Sequence, residues 1–488
     1  MKRSIELMAV ATVVLLFGLA TSLPAQESER GSQIGVSEPA QSTDVHIRSA
    51  QGRLVIPKSS MVQTPPAGHK FAAHTNIQVF MPAEVTPGEL PPFPGYGFET
   101  PASLACVYGL VQTGWDGKCN PYSFTSSTDN PSGGSNTIAI VDAYDDPNAA
   151  SDLESFSSQF AVPFTPSQFQ VVYAITNNNT VASANCPDCC PGVVQPDPTG
   201  GWEIEESLDV QWAHAMAPNA KIYLVEACTQ YDTDLQQAVL VANNLVQCGQ
   251  TEIDPATGAL GACPSRSKGK GEVSMSWGGP EFVGQNTSDK CATLDDSCFT
   301  APNVVYFAAS GDSPGVIWPS TSPNVVSAGG LTNRRNPTTF NFIGQAGWVD
   351  TGGGQSAIEA QPSYQRRWGV QAVCGRTWRC TPDLSFDADP YTGVYVYDSY
   401  PYYGYAYYWL VVGGTSVSAP SLAGVINGAG SFAASSNAEL TTIYMNMSNA
   451  ADFTDIISAY CGPYMGFTAG TGWDFCSGVG ADKGYEGK

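Results

Sequence analysis

Glu205 and Asp209 stand four positions apart in the stretch GGWEIEESLDVQWAHAM, and at about 100° per residue a helix brings both carboxylates to one face. Two carboxylates so placed repel when both are ionised, and sharing one proton relieves the repulsion. One member can then accept a proton from a hydroxyl while the other orients it and spreads the charge. A hydroxyl in the right setting is that of Ser416, in VVGGTSVSAPSLAG from Val411 to Gly424. There an apolar pair runs into Gly413 and Gly414 and then into a stretch of small and apolar residues, the pattern of a strand turning sharply into a helix. The helix N-terminus sets free amide donors and a positive partial charge beside Ser416, favourable ground for a serine nucleophile. Asp312, in SGDSPG, follows the apolar run Val304 to Ala309 and so stands at a strand's carboxyl end. Protonated in acid, it can donate a hydrogen bond to a developing oxyanion.

Each pattern also has a plainer reading: a solvated helix face for Glu205 and Asp209, a turn for SGDSPG, and a Gly/Ser loop ahead of a helix at Ser416. Histidine is the usual base for a serine, and the chain has His46, His69, His74 and His214. The first three precede the main domain, and His214 lies about half a turn round the helix from Glu205. A carboxylate base works where its pKa matches the medium, so the chemistry would be acidic. Asp455-Ile456 and the later Gly470-Thr471-Gly472-Trp473-Asp474 offer two carboxylates and turn carbonyls, an all-oxygen set suited to Ca²⁺.

The elements that must position these groups are strands alternating with helices. Strands are predicted at Thr137 to Ala143, Gln170 to Ile175, Ala220 to Ala227, Glu272 to Trp277, Val304 to Ala309 and Val325 to Ala328. Helices are predicted at Ala149 to Phe160, Trp202 to Met216 and Asp232 to Val246. Continuous apolar strands between amphipathic helices imply an α/β domain with a central parallel sheet flanked by helices on both faces. Functional groups are then expected at the carboxyl ends of the strands. The tyrosine-rich run Tyr391 to Trp409 reads as the cover of an edge hairpin, with a substrate-cleft lining as the alternative.

The chain of 488 residues carries 21 Lys+Arg against 44 Asp+Glu, a net charge of −23, which argues against nucleic acid and anionic membranes as partners. Lys2 and Arg3 precede an apolar run from Met8 to Ala20 and then Pro24-Ala25, the pattern of a secretory signal peptide over 1–25. Residues 26–104 are polar and then proline-rich. They read as an extended segment, with a short strand at His46 to Ile56, that wraps the domain or is removed on maturation. The domain itself is expected over 105–488. Fourteen cysteines fit an oxidising destination, with close spacings suggesting Cys106 to Cys119, Cys291 to Cys298, Cys374 to Cys380 and Cys461 to Cys476. Cys186, Cys189 and Cys190 read as disulfide loops rather than zinc ligands, since no His is spaced to complete a tetrahedral site.

Taken together these segments resemble the sedolisin family, the serine-carboxyl peptidases, over most of the chain from Thr100 to Gly480. The resemblance is carried by the E-x-x-x-D helix at Glu205 to Asp209, Ser274 to Gly278 (SMSWG), Ser310 to Gly315, Gly413 to Pro420, Asp455-Ile456 and Ala469 to Asp474. It implies a subtilisin-like single large domain, with Glu205 as general base and acid, Asp209 as its partner, Ser416 as nucleophile and Asp312 as oxyanion donor. It further implies that Ser276, Trp277 and Gly278 pair with a peptide substrate. One Ca²⁺ would be held by the side chains of Asp455 and Asp474 and the carbonyls of Ile456, Gly470 and Gly472.

Two features depart from the family pattern: residues 26–104 are too few for its large folded propeptide, and Asp142 stands where many members have glutamate. The expectation is a secreted, monomeric, acid-acting endopeptidase on protein or peptide substrates, without a membrane anchor. A catalytically idle binding protein on the same fold and an exopeptidase removing tripeptides are the alternatives.

Overall fold

A computed structural model describes residues 45–49, 51–111, 116–123, 125, 137–174, 194–248, 269–400, 408–462, 464 and 466–488. The chain opens with β1 (Val45–Ser49), β2 (Gly52–Ile56), β3 (His74–Thr75), β4 (Gln78–Pro82) and α1 (Pro101–Val107). It continues through β5 (Thr137–Ala143), α2 (Ala149–Phe160), β6 (Phe169–Ala174), α3 (Trp202–Met216), β7 (Lys221–Ala227), α4 (Asp232–Cys248), β8 (Gly271–Met275) and β9 (Trp277–Gly278). After these come β10 (Val304–Ala309), β11 (Val326–Arg335), β12 (Phe342–Gly347), β13 (Gly354–Ala360), α5 (Trp368–Cys374), β14 (Trp378–Thr381) and β15 (Leu384–Asp387). The last long elements are β16 (Val394–Tyr397), β17 (Trp409–Gly413), α6 (Thr415–Ala429) and α7 (Ser436–Asn446).

The central sheet runs β15-β11-β10-β8-β5-β7-β6, every neighbouring pair parallel. Successive residues of a strand point to opposite faces, and both faces here are apolar. Ile138 and Ile140 of β5 bury against Leu208 of α3 and Val417 and Leu422 of α6, whereas Ala139 and Val141 bury against Leu235 and Val239 of α4. The predicted α/β sandwich is therefore present. Trp202–Met216, Thr137–Ala143, Ala149–Phe160 and Val304–Ala309 have the expected bounds, while the strand predicted at Val325 to Ala328 runs on to Arg335. The four close cysteine pairs form disulfides, and Cys228 and Cys248 are also disulfide-bonded. Cys186, Cys189 and Cys190 lie outside the described residues. Among the described residues no helix is long and apolar enough to cross a membrane.

The stretch ahead of the domain differs most from expectation. The single strand foreseen at His46 to Ile56 is a hairpin, β1 against β2, and β2 pairs with β4. β4 in turn pairs with β17, giving an antiparallel sheet in the order β1-β2-β4-β17-β16. β16 and β17 are the hairpin expected beneath the tyrosine run, whose residues 401–407 lie outside those described. The boundary expected at 104/105 falls inside α1, a helix begun by a reciprocal cap in which Thr100 Oγ1 accepts from Ser103 N and Ser103 Oγ accepts from Thr100 N. Glu99, just before it, is fully buried in a bidentate pair with Arg335 of β11, Nε to Oε1 at 2.7 Å and Nη2 to Oε2 at 2.5 Å.

Helices α3 and α6 carry Glu205 and Ser416, and their separation is set by a bare Cα. A Cβ on Gly424 would lie 2.6 Å from Met216 Cβ and 3.0 Å from Ala213 O. Gly424→Val should therefore wedge the two helices apart. We expect it to cost about 1–3 kcal/mol, read as a lowered denaturant midpoint. Wild-type stability in this variant would show that the helices do not meet there.

Candidate active site

The carboxyl ends of three sheet strands meet the start of α6. Asp142 lies in β5, Ser276 directly follows β8, and Asp312 stands three positions beyond the end of β10. Gly414 precedes α6 with φ +110°, a left-handed conformation that favours glycine, and a Cβ there would lie 2.4 Å from Asp312 Oδ2. The turn thus brings Ser416 beside Asp312. Thr415 holds Asp312 in place, donating to Oδ1 from its N–H at 2.7 Å and from its hydroxyl at 2.9 Å, while its hydroxyl accepts from Gly311 N at 3.0 Å. Asp312 Oδ2 is buried without a partner, and burial raises the carboxyl to about 8. In acid it carries a proton, free to be donated.

Fifteen consecutive residues of α3 are buried, Glu203, Glu205, Glu206 and Asp209 among them, so this helix has no solvated face. Glu205 and Asp209 share one side, as their spacing predicts, and hydrogen bond to each other. Glu205 Oε1 and Asp209 Oδ2 have no donor from the rest of the protein. A proton held between the two carboxyls satisfies both. Asp209 Oδ1 also accepts from Ser276 Oγ at 2.8 Å, which fixes its orientation. Burial first, then the nearby Asp142, pushes Glu205 well above the usual carboxylate range, while a hydrogen bond with Ser416 pulls it down. Asp209 is pushed up by burial, Asp142 and Glu205. Asp142, buried with both oxygens unpartnered, is itself raised to about 8 by burial.

Ser416 Oγ donates to Ser276 O at 3.0 Å and accepts from Asn76 N at 3.2 Å. The same Asn76 N–H lies 3.3 Å from Glu205 Oε2. Ser416 N donates to Asn76 O at 3.2 Å, and that oxygen would lie 2.0 Å from a Cβ on Gly414. The site therefore holds a backbone carbonyl of the chain's own N-terminal segment beside Ser416 N–H and on the Asp312 side of Gly414. β3 pairs antiparallel with β9, His74 with Gly278 and Thr75 with Trp277, so Trp277 and Gly278 pair with an extended strand and Ser276 accepts from Asn76 Nδ2 at 3.0 Å. His214 supplies no hydrogen bond to Ser416; it packs edge-on against Phe164, and burial lowers it to about 4.

Asn76 stands outside the residues expected from sequence to form the site, whereas Asp142, singled out there only as a departure from the family pattern, lies beside Glu205 and Asp209. Asp142 had a signal, an acidic residue ending an apolar strand. Asn76 had none, because its role follows from pairing across hundreds of positions.

Asp455 and Asp474 face one turn from two sides. Gly472 N lies 3.2 and 3.1 Å from the two oxygens of Asp455, and Gly470 N donates to Asp474 Oδ2 at 2.9 Å. Asp474 Oδ1 accepts from Cys476 N, Ser477 N and Ser477 Oγ. Nothing lies within 4 Å of where a Cβ would project from Gly470 or Gly472, so the turn has open space beside it. Two carboxylates and backbone carbonyls are donors of the kind a hard cation takes, and here the four carboxylate oxygens accept from the Gly470, Gly472, Cys476 and Ser477 groups. Another candidate grouping, Cys106, Asp116 and Cys119, is spent on the Cys106–Cys119 disulfide.

A parallel α/β sheet whose strand ends bring a buried serine at a helix N-terminus beside buried carboxyl groups defines a subtilisin-like fold. No family model matches the chain. It is 27% identical over 368 residues to sedolisin of Pseudomonas sp. (strain 101), covering 70% of this chain and 58% of that protein. It is 29% identical over 319 residues to kumamolisin of Bacillus sp. (strain MN-32), covering 59% of this chain and 51% of that one. The chain thus spans little more than half the length of these relatives. The solved structure of Pseudomonas sedolisin, a serine-carboxyl proteinase complexed with two molecules of pseudo-iodotyrostatin, matches with a TM-score of 0.54 at 23% identity, covering 79% of this chain and 95% of that one. The chain is similar in sequence to sedolisin and kumamolisin, and it shares the sedolisin fold.

The raised carboxyls make stability depend on pH. Asp142 and Asp312 near 8, Asp146 near 7 and Glu203 near 9 hold protons that an unfolded chain releases at about pH 4. Their folded pKa values lie above the unfolded ones, so this stabilisation is full below about pH 4 and is lost progressively as pH rises through about 7 to 9. The melting temperature should fall from about pH 4 to about pH 9, and Asp142→Asn should flatten the slope. A melting temperature that rises over that range would refute the protonated site.

Proposed function

We propose that the chain is a secreted, acid-acting serine-carboxyl endopeptidase that hydrolyses peptide bonds through an acyl-enzyme on Ser416. The observation that carries this reading is the Asn76 backbone, its carbonyl beside Ser416 N–H and its amide within reach of both Ser416 Oγ and Glu205. A substrate carbonyl in that position would be attacked by Ser416 Oγ as Glu205 takes the hydroxyl proton. The charge gathering on oxygen would meet Ser416 N–H and the Asp312 proton. Glu205 then delivers its proton to the departing amine, and water releases the acyl group by the reverse roles. Asp209, held by Ser276, orients Glu205 and spreads its charge.

Endopeptidase action is supported by the path of the N-terminal segment, which lies along β9 before Asn76 and along β17 after it. A site limited to free N-termini would have no need of so long an approach. Secretion is supported by the signal-like 1–25 and by the disulfides. Calcium, when bound by Asp455, Asp474 and the carbonyls of Ile456, Gly470 and Gly472, would neutralise two carboxylates and stiffen the C-terminal loop.

Cleavage of denatured protein should be confined to acid. Ser416→Ala should lower kcat/KM by about 10⁴-fold or more and Asp312→Asn by about 10²–10³. Glu205→Gln should cost about 10²–10⁴, and His214→Ala less than about threefold. A neutral optimum insensitive to Glu205→Gln would overturn the carboxylate base. Chelation should lower the melting temperature of calcium-loaded protein, and metal analysis should find one calcium per chain. No metal and no shift would remove the site.

A further inference from the structure

We propose that Glu226, Asp145 and Tyr173 carry protons between the Glu205–Asp209 pair, which they meet through Asp142, and solvent at the β6 edge of the sheet. Such a role rests on reading Ser416 as a nucleophile. The pleat of the sheet lays these groups out. Ile138 and Ile140 of β5, Ile222 and Leu224 of β7 and Phe169 of β6 bury on the side that α3 and α6 cover. An even number of residues further on, Asp142, Glu226 and Tyr173 face that same side. They also stand level, Asp142 opposite Glu226 and Glu226 opposite Tyr173. Neighbouring strands lie about 4.8 Å apart, so adjacent groups in this row are within reach of a direct hydrogen bond or of one bridging water.

The outer end of the row is joined and open. Glu226 hydrogen bonds to Asp145, carboxyl to carboxyl, and Asp145 Oδ1 accepts from the Tyr173 hydroxyl at 2.9 Å. Tyr173 is 36% exposed, whereas Asp142 and Glu226 are fully buried. At the inner end Asp142 acts on both Glu205 and Asp209. Neither oxygen of Asp142 or of Glu226 receives a donor from the rest of the protein, and the same holds for Glu206, which α3 sets near Glu226, Asp146 and Asp142. Each such carboxyl keeps a proton, and with both oxygens unclaimed it can take one on one oxygen while releasing one from the other. Burial raises Asp142 to about 8 and Asp146 to about 7, and burial followed by Asp145 raises Glu226, so these groups are protonated in acid. The row does not gather its oxygens as metal ligands do: among the described residues, the grouping of three that lies close enough for that is Cys106, Asp116 and Cys119.

Ser416, Glu205 and Asp209 are fully buried, and a peptide lying over Ser416 closes the cleft side. Yet the nitrogen of the broken amide gains two protons to depart as an ammonium ion, its form in acid. One is the Ser416 hydroxyl proton, delivered by Glu205. The second comes from the proton the carboxyl pair shares, which leaves the pair one short. Tyr173 then takes a proton from solvent as it gives its own to Asp145, and the transfer repeats through Glu226 and Asp142 until the pair is refilled. When water splits the ester, the new carboxyl group ionises and its proton leaves by the same row. One proton enters and one leaves in each turnover, and the row ends as it began.

The test measures kcat and KM for a peptide substrate from about pH 3 to about pH 6, in dilute buffer and again with added formate, a weak acid small enough to stand in for a missing carrier. Glu226→Gln keeps the size of the side chain but not the acid proton. It should lower kcat by about tenfold with KM unchanged, and Glu226→Asp should restore most of the loss. Tyr173→Phe, at the exposed end and so the safer change for folding, should lower kcat by about threefold. Formate should raise kcat in both variants and leave the wild type as it is, a response that a merely structural defect would not give. Unchanged kcat in the variants that fold, or a loss that formate does not relieve, would overturn the proton row while wild-type cleavage keeps the peptidase reading standing. Absence of wild-type cleavage at every pH would overturn the two together.

Discussion

A carboxyl group buried without a cation must find donors or keep its proton, and the site is built around that constraint. Acidic residues outnumber basic ones 44 to 21, and α3 places Glu203, Glu205, Glu206 and Asp209 in the interior. Glu206 has no partner for either oxygen and is raised by burial and then by Glu226, Asp146 and Asp142. The catalytic pair proposed for Ser416 is thus the inner end of a larger body of carboxyls that stay neutral together. What makes a carboxylate base workable at Ser416 also makes acid the medium in which the fold is at ease. The proposed function and the stability would draw on one proton inventory.

Topology supplies the rest. Parallel strands β5, β8 and β10 lie side by side, so Asp142, Ser276 and Asp312 come to the same rim of the sheet although they are far apart in the chain. Helix α6 starts at that rim because Gly414 lets β17 turn without a Cβ in the way. Helix α3 reaches it from the same face of the sheet because Gly424 lets the two helices touch. Two glycines therefore set where the serine stands relative to both kinds of carboxyl group.

Much of this was legible in the sequence because it is local. The four-residue spacing of Glu205 and Asp209, the glycine turn before Ser416 and the strand-end position of Asp312 each depend on a short window with known geometry. The apolar strand runs are likewise local, since a strand buried on both faces has no alternation to hide it. Burial of Glu203 and Glu206 was not legible, because an acidic helix face reads as solvated until its neighbours are known. The N-terminal strands were missed for a different reason. The stretch FAAHTNIQVF has few marks of its own, and its partners β9 and β17 lie about 200 and about 330 positions away.

The pairing of β4 with β17 also bears on where the polypeptide can be begun. A chain started at residue 105 would lack β4 and leave Val411 and Val412 on a bare strand edge, directly before the turn that presents Ser416. Apolar edges of that kind recruit other chains. It would lack Glu99 as well, so that Arg335 would remain as an interior cation without its counter-ion. The proline-rich stretch that looks dispensable by composition thus covers an apolar strand edge and neutralises an interior cation.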